Sequence, residues 1–244
     1  MLRAENISKS FVKNNKEFLA LNNISFQLDN AEIYGLIGLN GAGKTTLLRL
    51  LSGIYNCTSG FISYEDIDIR AFNMANPYQI SYLSSDTQVY QRLTIREYLS
   101  FFAKIKELPK MVFEERLKEY SSKLKLTQEL NTLLEHTSTG TRQKAAFISA
   151  IINHPKYLFL DEPFANIDIL MVDEMINTIN ALRDHGTSVI ISSHNLYEIE
   201  TIADKVIYLE NGQIKLNSSI QELHKESEGQ RLRDIILCKM KEAN

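Results

Sequence analysis

A chain of 244 residues, 44% hydrophobic and 23% charged, has ordinary globular composition, and its length suits one large α/β domain with room for an inserted subdomain. A net charge of −3 advertises no affinity for nucleic acid or for an acidic membrane surface. Cys57 and Cys238 lie far apart with no C-x-x-C, which argues against a disulfide framework or zinc site and fits a reducing compartment.

Met1 to Glu5 lacks the apolar core of a signal peptide, and no window approaches 18 consecutive apolar residues, so no bilayer span is expected. Residues 1–37 read as strands. Ile24, Phe26 and Leu28 alternate with polar neighbours, the period of a half-buried strand, and Lys13 to Lys16 and Asp29-Asn30 read as turns. Phe11, just before the first turn, reads by itself as a core or edge aromatic.

Residues Gly38 to Thr46 (GLNGAGKTT) follow the apolar run Ile33 to Ile37 and lead into the periodic Leu47, Leu48, Leu50 and Leu51. The pattern G-x-x-x-x-G-K-[ST] in a strand–loop–helix setting is a phosphate-binding loop. Glycines let the backbone curl close to a ligand. Successive amides then point into one concavity at a helix N-terminus, where an anion is favoured. Lys44 reaches the outer phosphates as a point charge, and Thr45 offers a hydroxyl to Mg²⁺.

The helix after the loop is expected to stop near Ser52-Gly53. Short strands follow at Phe61 to Tyr64 and Ile80 to Leu83. Thr94 to Glu97 is a capping box, and Ile95, Tyr98, Leu99, Phe102 and Ile105 form one helical face. From there to about Ile152 only helical periods occur, as in a helical insertion into a sheet protein. Apolar runs at Tyr157 to Leu160, Ser188 to Ile191 and Val206 to Leu209 read as buried strands, the last closed by the hairpin turn Glu210 to Gly212. The tail from about Gln221 is charged and reads as helical.

The first of these buried strands ends in Asp161-Glu162. In open α/β sheets ligands bind at the carboxyl ends of strands. Asp161 therefore belongs near Mg²⁺, and Glu162 is placed to orient or deprotonate the water that attacks a γ-phosphate. His194 also follows a buried strand and can point at the same site. His136, His154, His185 and His224 read as surface residues.

The phosphate loop, the segment Ser138 to Gln143 (STGTRQ), LFLDEP, Asn166 to Asp168 and Ser193-His194 occur in the order found in ATP-binding cassette (ABC) ATPase domains, which residues 1–220 resemble. The resemblance implies an α/β P-loop NTPase core with a RecA-like, mostly parallel sheet and an N-terminal antiparallel β subdomain. It also implies a helical subdomain inserted at about 86–152, followed by a C-terminal helical tail at 221–244. Phe11 is similar to the aromatic that stacks on adenine. Gly38, Asn40, Gly41, Gly43, Lys44, Thr45 and Thr46 fall in the Walker A loop. Asp161 matches the Walker B aspartate, and Glu162 the glutamate beside the hydrolytic water. His194 resembles the switch histidine and Asp168 the D-loop aspartate.

Ser138, Thr139 and Gly140 fall where the family has the Ser-Gly-Gly of its signature, which closes on a partner's γ-phosphate across a head-to-tail dimer. Thr139 adds a Cβ where backbone approaches phosphate. Aligned by the following LTIRE, the family's Q-loop glutamine falls at Ser85, too short to reach a metal as glutamine does; Asp86 or Gln88 is a candidate substitute, and the sequence does not decide between them. The segments around Ser85 and Ser138 are similar to ATPase subunits of sodium- and drug-export systems.

The resemblance implies an ATPase that uses ATP and Mg²⁺ and pairs as a homodimer or with a second ABC subunit. It would drive a separate integral-membrane permease, in the direction of export, from the cytoplasmic face of the cell membrane, with no nucleic-acid partner. Tyr82 and Tyr90 are candidates for the permease contact, a core role being the alternative. An alternative reading is an ATP-dependent binding or regulatory module with little hydrolysis, to which Thr139 and Ser85 point.

Overall fold

The computed structural model describes residues 1–13, 15–86, 90–226 and 230–242. Gln88 and Asn14 of the first turn lie outside these.

Two sheets and a set of helices form the molecule. The first sheet is antiparallel, in the order β2-β1-β4-β5, built from β1 (Leu2–Lys13), β2 (Lys16–Leu28), β4 (Ser59–Tyr64) and β5 (Ile67–Asp68). The second has the order β10-β9-β3-β8-β7-β6. Its strands are β3 (Ile33–Ile37), β6 (Ile80–Leu83), β7 (Tyr157–Asp161), β8 (Ser188–Ser192), β9 (Lys205–Glu210) and β10 (Gln213–Ser219). Five of these run parallel and β10 returns antiparallel to β9. Asn211 and Gly212 make that hairpin with φ of 47° and 72°, the two positive values that a two-residue type I′ turn needs.

β3, β7 and β8 are buried at every position, because the second sheet is covered on both faces. Alternation still decides which core each residue joins. Tyr157, Phe159, Tyr34, Leu36 and Ile190 face the first sheet and helix α1 (Lys44–Leu51). Leu158, Leu160, Ile33, Val189 and Ile191 face the other helices. Those are α3 (Ile95–Ile105), α4 (Lys110–Lys123), α5 (Thr139–Ile151), α6 (Ile169–Asp184), α7 (Leu196–Ile202), α8 (Ile220–Glu226) and α9 (Leu232–Glu242), while the short α2 (Ile69–Ala75) packs Phe72 against the first core.

Local chemistry sets the helix ends. α1 stops at Ser52, with Gly53 beyond it at φ 78°, the left-handed residue common after a helix. α3 opens with the reciprocal capping box, Glu97 N donating to Thr94 Oγ1 and Thr94 N to Glu97. Between β6 and β7 the described residues form α3, α4, a 3₁₀ turn at Leu134–His136 and α5. Their apolar side chains, Leu99, Leu117 and Phe147 among them, are continuous with the core on that side of the sheet. No helix among the described residues is long and apolar enough to cross a membrane.

Candidate functional site: a phosphate loop facing an Asp-Glu turn

Strand register brings the site together. Leu36 of β3 pairs with Ser192 of β8, which pairs in turn with Asp161 of β7. Leu83 of β6 pairs with Leu160, so Ser84 and Ser85 emerge beside Asp161. Four strand ends therefore meet along one carboxyl edge of the sheet, where open α/β folds hold ligands.

The phosphate loop leaves β3 and enters α1 through Gly43, whose φ of 109° is costly for any residue with a Cβ. α1 has no side-chain cap, and its first backbone bond runs from Leu47 N to Gly43 O, 2.8 Å. The amides of Lys44, Thr45 and Thr46 are thus the unpaired first-turn donors of a helix, and the helix dipole adds to their pull on an anion. Lys44 is buried, and its ammonium spans the loop to Gly38 O (2.7 Å) and Leu39 O (3.4 Å).

Asp161 is buried and held by four hydroxyls. Thr45 Oγ1 donates to its Oδ2 at 2.8 Å, Ser85 Oγ at 3.2 Å and Tyr82 Oη at 3.4 Å, while Ser192 Oγ donates to Oδ1 at 2.7 Å. Burial pushes the Tyr82 phenol above its usual range, which keeps it a donor. Arg49 of α1 donates to the same phenol at 3.4 Å and to Tyr55 Oη at 3.1 Å. Tyr82, a candidate for a permease contact from sequence, is therefore committed inward to Asp161, because its place on β6 aims it at the strand-end cluster.

Glu162 follows with φ 51°. Its amide donates to Ser192 O (3.1 Å) and Ser192 Oγ (3.0 Å), and its carboxylate bonds His194 Nδ1 at 2.9 Å. The His194 amide also points at this carboxylate, at 3.4 Å.

These groups surround a cavity of about 600 Å³ lined by Asn40, Gly41, Gly43, Lys44, Thr45, Thr46, Ser85, Asp161 and Glu162. Phe18, Leu19, Asn211 and Gly212 close its far side. Lys44 and Glu162 therefore share one cleft. Gly38 and His194 line a neighbouring cavity of about 630 Å³, on the other side of the loop beneath α7 and α9. That second space holds neither Lys44 nor Asp161, so it is the first that brings the phosphate loop and the Asp-Glu turn together. His194 touches it only through Glu162.

Six further candidates from sequence do not line the cleft. Phe11 is half-buried and stacked behind Phe18, ring centroids 5.6 Å apart, with Tyr55 edge-on at the same distance. Ser138 caps α5, accepting from Thr141 N, and Thr139 and Gly140 begin that helix. Asp168 caps α6, accepting from Met171 N. Asp86 is exposed, its amide donating to Ser84 Oγ at 3.3 Å.

Sequence reading passes over Ser192 and Phe18. A signal exists for the first, a serine directly after the apolar run Val189 to Ile191. For Phe18 there is none, since only the β1–β2 pairing of Phe11 with Phe18 carries it to the rim.

Comparison with known proteins gives this geometry a family. The family described as ABC transporter matches residues 21–165. The ABC-type transporter ATP-binding protein EcsA of Bacillus subtilis (strain 168) is 31% identical, over 84% of this chain and 83% of its own. The lipopolysaccharide export system ATP-binding protein LptB of Haemophilus influenzae is also 31% identical, over 88% of each chain. The ABC transporter ATP-binding protein NatA of B. subtilis is 26% identical over 98% of each.

A solved ATP-binding subunit of an ABC transporter superposes with a TM-score of 0.89, at 25% identity, covering 98% of this chain and 99% of that one. A dimeric cassette, MJ0796, solved in a post-hydrolysis state with ADP and Pi, shares the fold at a TM-score of 0.82 and 19% identity. Since the family match takes in more than half of the chain, from within β2 to the turn that carries Glu162, the chain belongs to the ABC transporter family, as one of its ATP-binding, ATP-hydrolysing subunits.

Proposed function

We propose that two copies of this chain, or one copy and a second ABC subunit, close around two Mg-ATP, hydrolyse them and drive a separate membrane permease, in the direction of export. The observation that carries this reading is the single cleft shared by Lys44, Thr45, Asp161 and Glu162. The amides of Gly41 to Thr46 and the Lys44 ammonium take the phosphates. Thr45 Oγ1 and Asp161, already 2.8 Å apart, are an all-oxygen pair of the kind Mg²⁺ prefers, with few protein ligands and the rest from phosphate and water. When bound, the metal neutralises charge that develops on the transferred phosphoryl group.

Glu162 accepts a proton from the water as its oxygen attacks the γ-phosphorus. The bond from that phosphorus to the β–γ bridging oxygen breaks, and ADP and phosphate leave. His194 orients the Glu162 carboxylate from one side. Phe18, backed by Phe11, gives the adenine ring an aromatic face to stack on. Ser138, Thr139 and Gly140 sit away from this cleft, which supports their serving the cleft of a second copy, with Asp168 beside them.

Residues 1–220 are the cassette, about 86–152 its helical subdomain and 221–244 a tail. The permease contact falls on the helical subdomain, where Tyr90, Phe101 and Ile105 are 56%, 40% and 43% exposed and the first two rings meet edge-on at 5.4 Å. Through that contact the chain sits at the cytoplasmic face of the cell membrane. Phosphate release by the purified chain, with and without a reconstituted permease, tests the reading. Turnover near zero in both would favour the binding module with little hydrolysis, to which Thr139 and Ser85 point.

A further inference from the structure

The turn from β7 to α6 contains two residues in the left-handed region that are not glycine, Glu162 at φ 51° and Asn166 at φ 62°. Asparagine enters this region readily, but glutamate does so at a cost that neighbouring contacts must offset. The sheet holds one side, through the two bonds from Glu162 N to Ser192. α5 holds the other side at two points. Gln143, 4% exposed, donates from Nε2 to Pro163 O at 3.1 Å. Gly140, one turn earlier, passes directly under Asn166, where an added Cβ would come within 2.8 Å of Asn166 O.

We infer that Gln143 is a positioning residue. It fixes the carbonyl next to Glu162 and so ties the carboxylate that meets the water to the helix that begins at Ser138. The inference rests on the proposed function, in which Ser138 to Gly140 face the nucleotide of a second copy and Glu162 serves the chain's own. Under that arrangement a triphosphate pressing on the start of α5 acts on the Glu162 of the same chain, in the opposite cleft. The two clefts then depend on each other, and Gln143 is the link.

Gln143→Met removes the donor while nearly keeping length and volume. In ATP-hydrolysis assays it is expected to lower kcat by about 10- to 100-fold, as a small misplacement of a reacting group does. ATP affinity by calorimetry should stay within about twofold, because the phosphate loop is untouched. The Hill coefficient for ATP is expected to exceed 1 in the wild type and to fall to 1 in the variant.

Asn166→Gly loosens the same turn from an exposed position whose backbone suits glycine. It should give the same fall in the Hill coefficient, and it serves if the core variant does not fold. Unchanged kcat and Hill coefficient in folded Gln143→Met overturn the inference. So does a wild-type Hill coefficient of 1, or a loss confined to thermal stability and ATP affinity. Failure of the proposed function itself reads differently, as normal turnover by Glu162→Gln.

Discussion

At the scale of single residues, the proposed function assigns binding and chemistry to different groups. Glu162 lies at the cleft floor with its carboxylate 2.9 Å from His194 Nδ1, while the phosphate loop is a different piece of backbone. Glu162→Gln keeps the shape and removes the base. It is expected to leave ATP affinity intact and slow phosphate release by roughly 10²- to 10⁴-fold. Turnover near the wild-type rate would remove Glu162 from the reaction. Lys44 plays the opposite part, as a buried ammonium already bonded across the loop. Lys44→Ala should abolish tight ATP binding in calorimetry, and unchanged affinity would undo the assignment of the loop.

At the scale of elements, Lys106 joins α3 to the end of α5. Its stem is part-exposed, but its ammonium donates to Ser149 O, Ala150 O, Asn153 Oδ1 and Ser81 Oγ at 2.8 to 3.2 Å. It thereby satisfies carbonyls in the last turn of α5 that have no helical partner. Burial lowers its pKa from 10.5 to about 7. Between these values the unfolded chain binds more protons than the folded one at this site, so stability rises with pH from about 7 to 10.5. The slope is at most about 1.4 kcal/mol per pH unit, reduced by the four acceptors, which favour the charged form.

Lys106→Met should remove that rise and lower stability at pH 7 by about 1–3 kcal/mol, the cost of carbonyls left without a donor. Urea unfolding at pH 7 and pH 9 measures both effects. A wild-type slope that survives in the variant would assign it to other groups.

At the scale of the whole molecule, the proposed function puts the permease contact on the exposed aromatics of the helical block. Tyr90→Ala with Phe101→Ala should leave the basal hydrolysis of the isolated chain unchanged and abolish its change on adding reconstituted permease. Full permease response in the double variant would move the contact elsewhere. The position of Ser85 belongs to this scale too. Its hydroxyl bonds Asp161 at 3.2 Å, so the end of β6 is tied to that carboxylate through a shorter side chain than glutamine.

The phosphate loop, the buried strands and the Asp161–Glu162 turn were legible from residue order alone. Each is a local pattern: a glycine spacing, an apolar run, a charge at its end. The capping box at Thr94 and the hairpin at Asn211-Gly212 were legible for the same reason. Phe18 at the cleft rim, Tyr82 on Asp161 and Gln143 on Pro163 were not. Those contacts depend on strand order and on which helix lies under which turn. Burial of a side chain's polar atom leaves no trace in the sequence until its partner, 20 or 79 residues away, has been brought alongside.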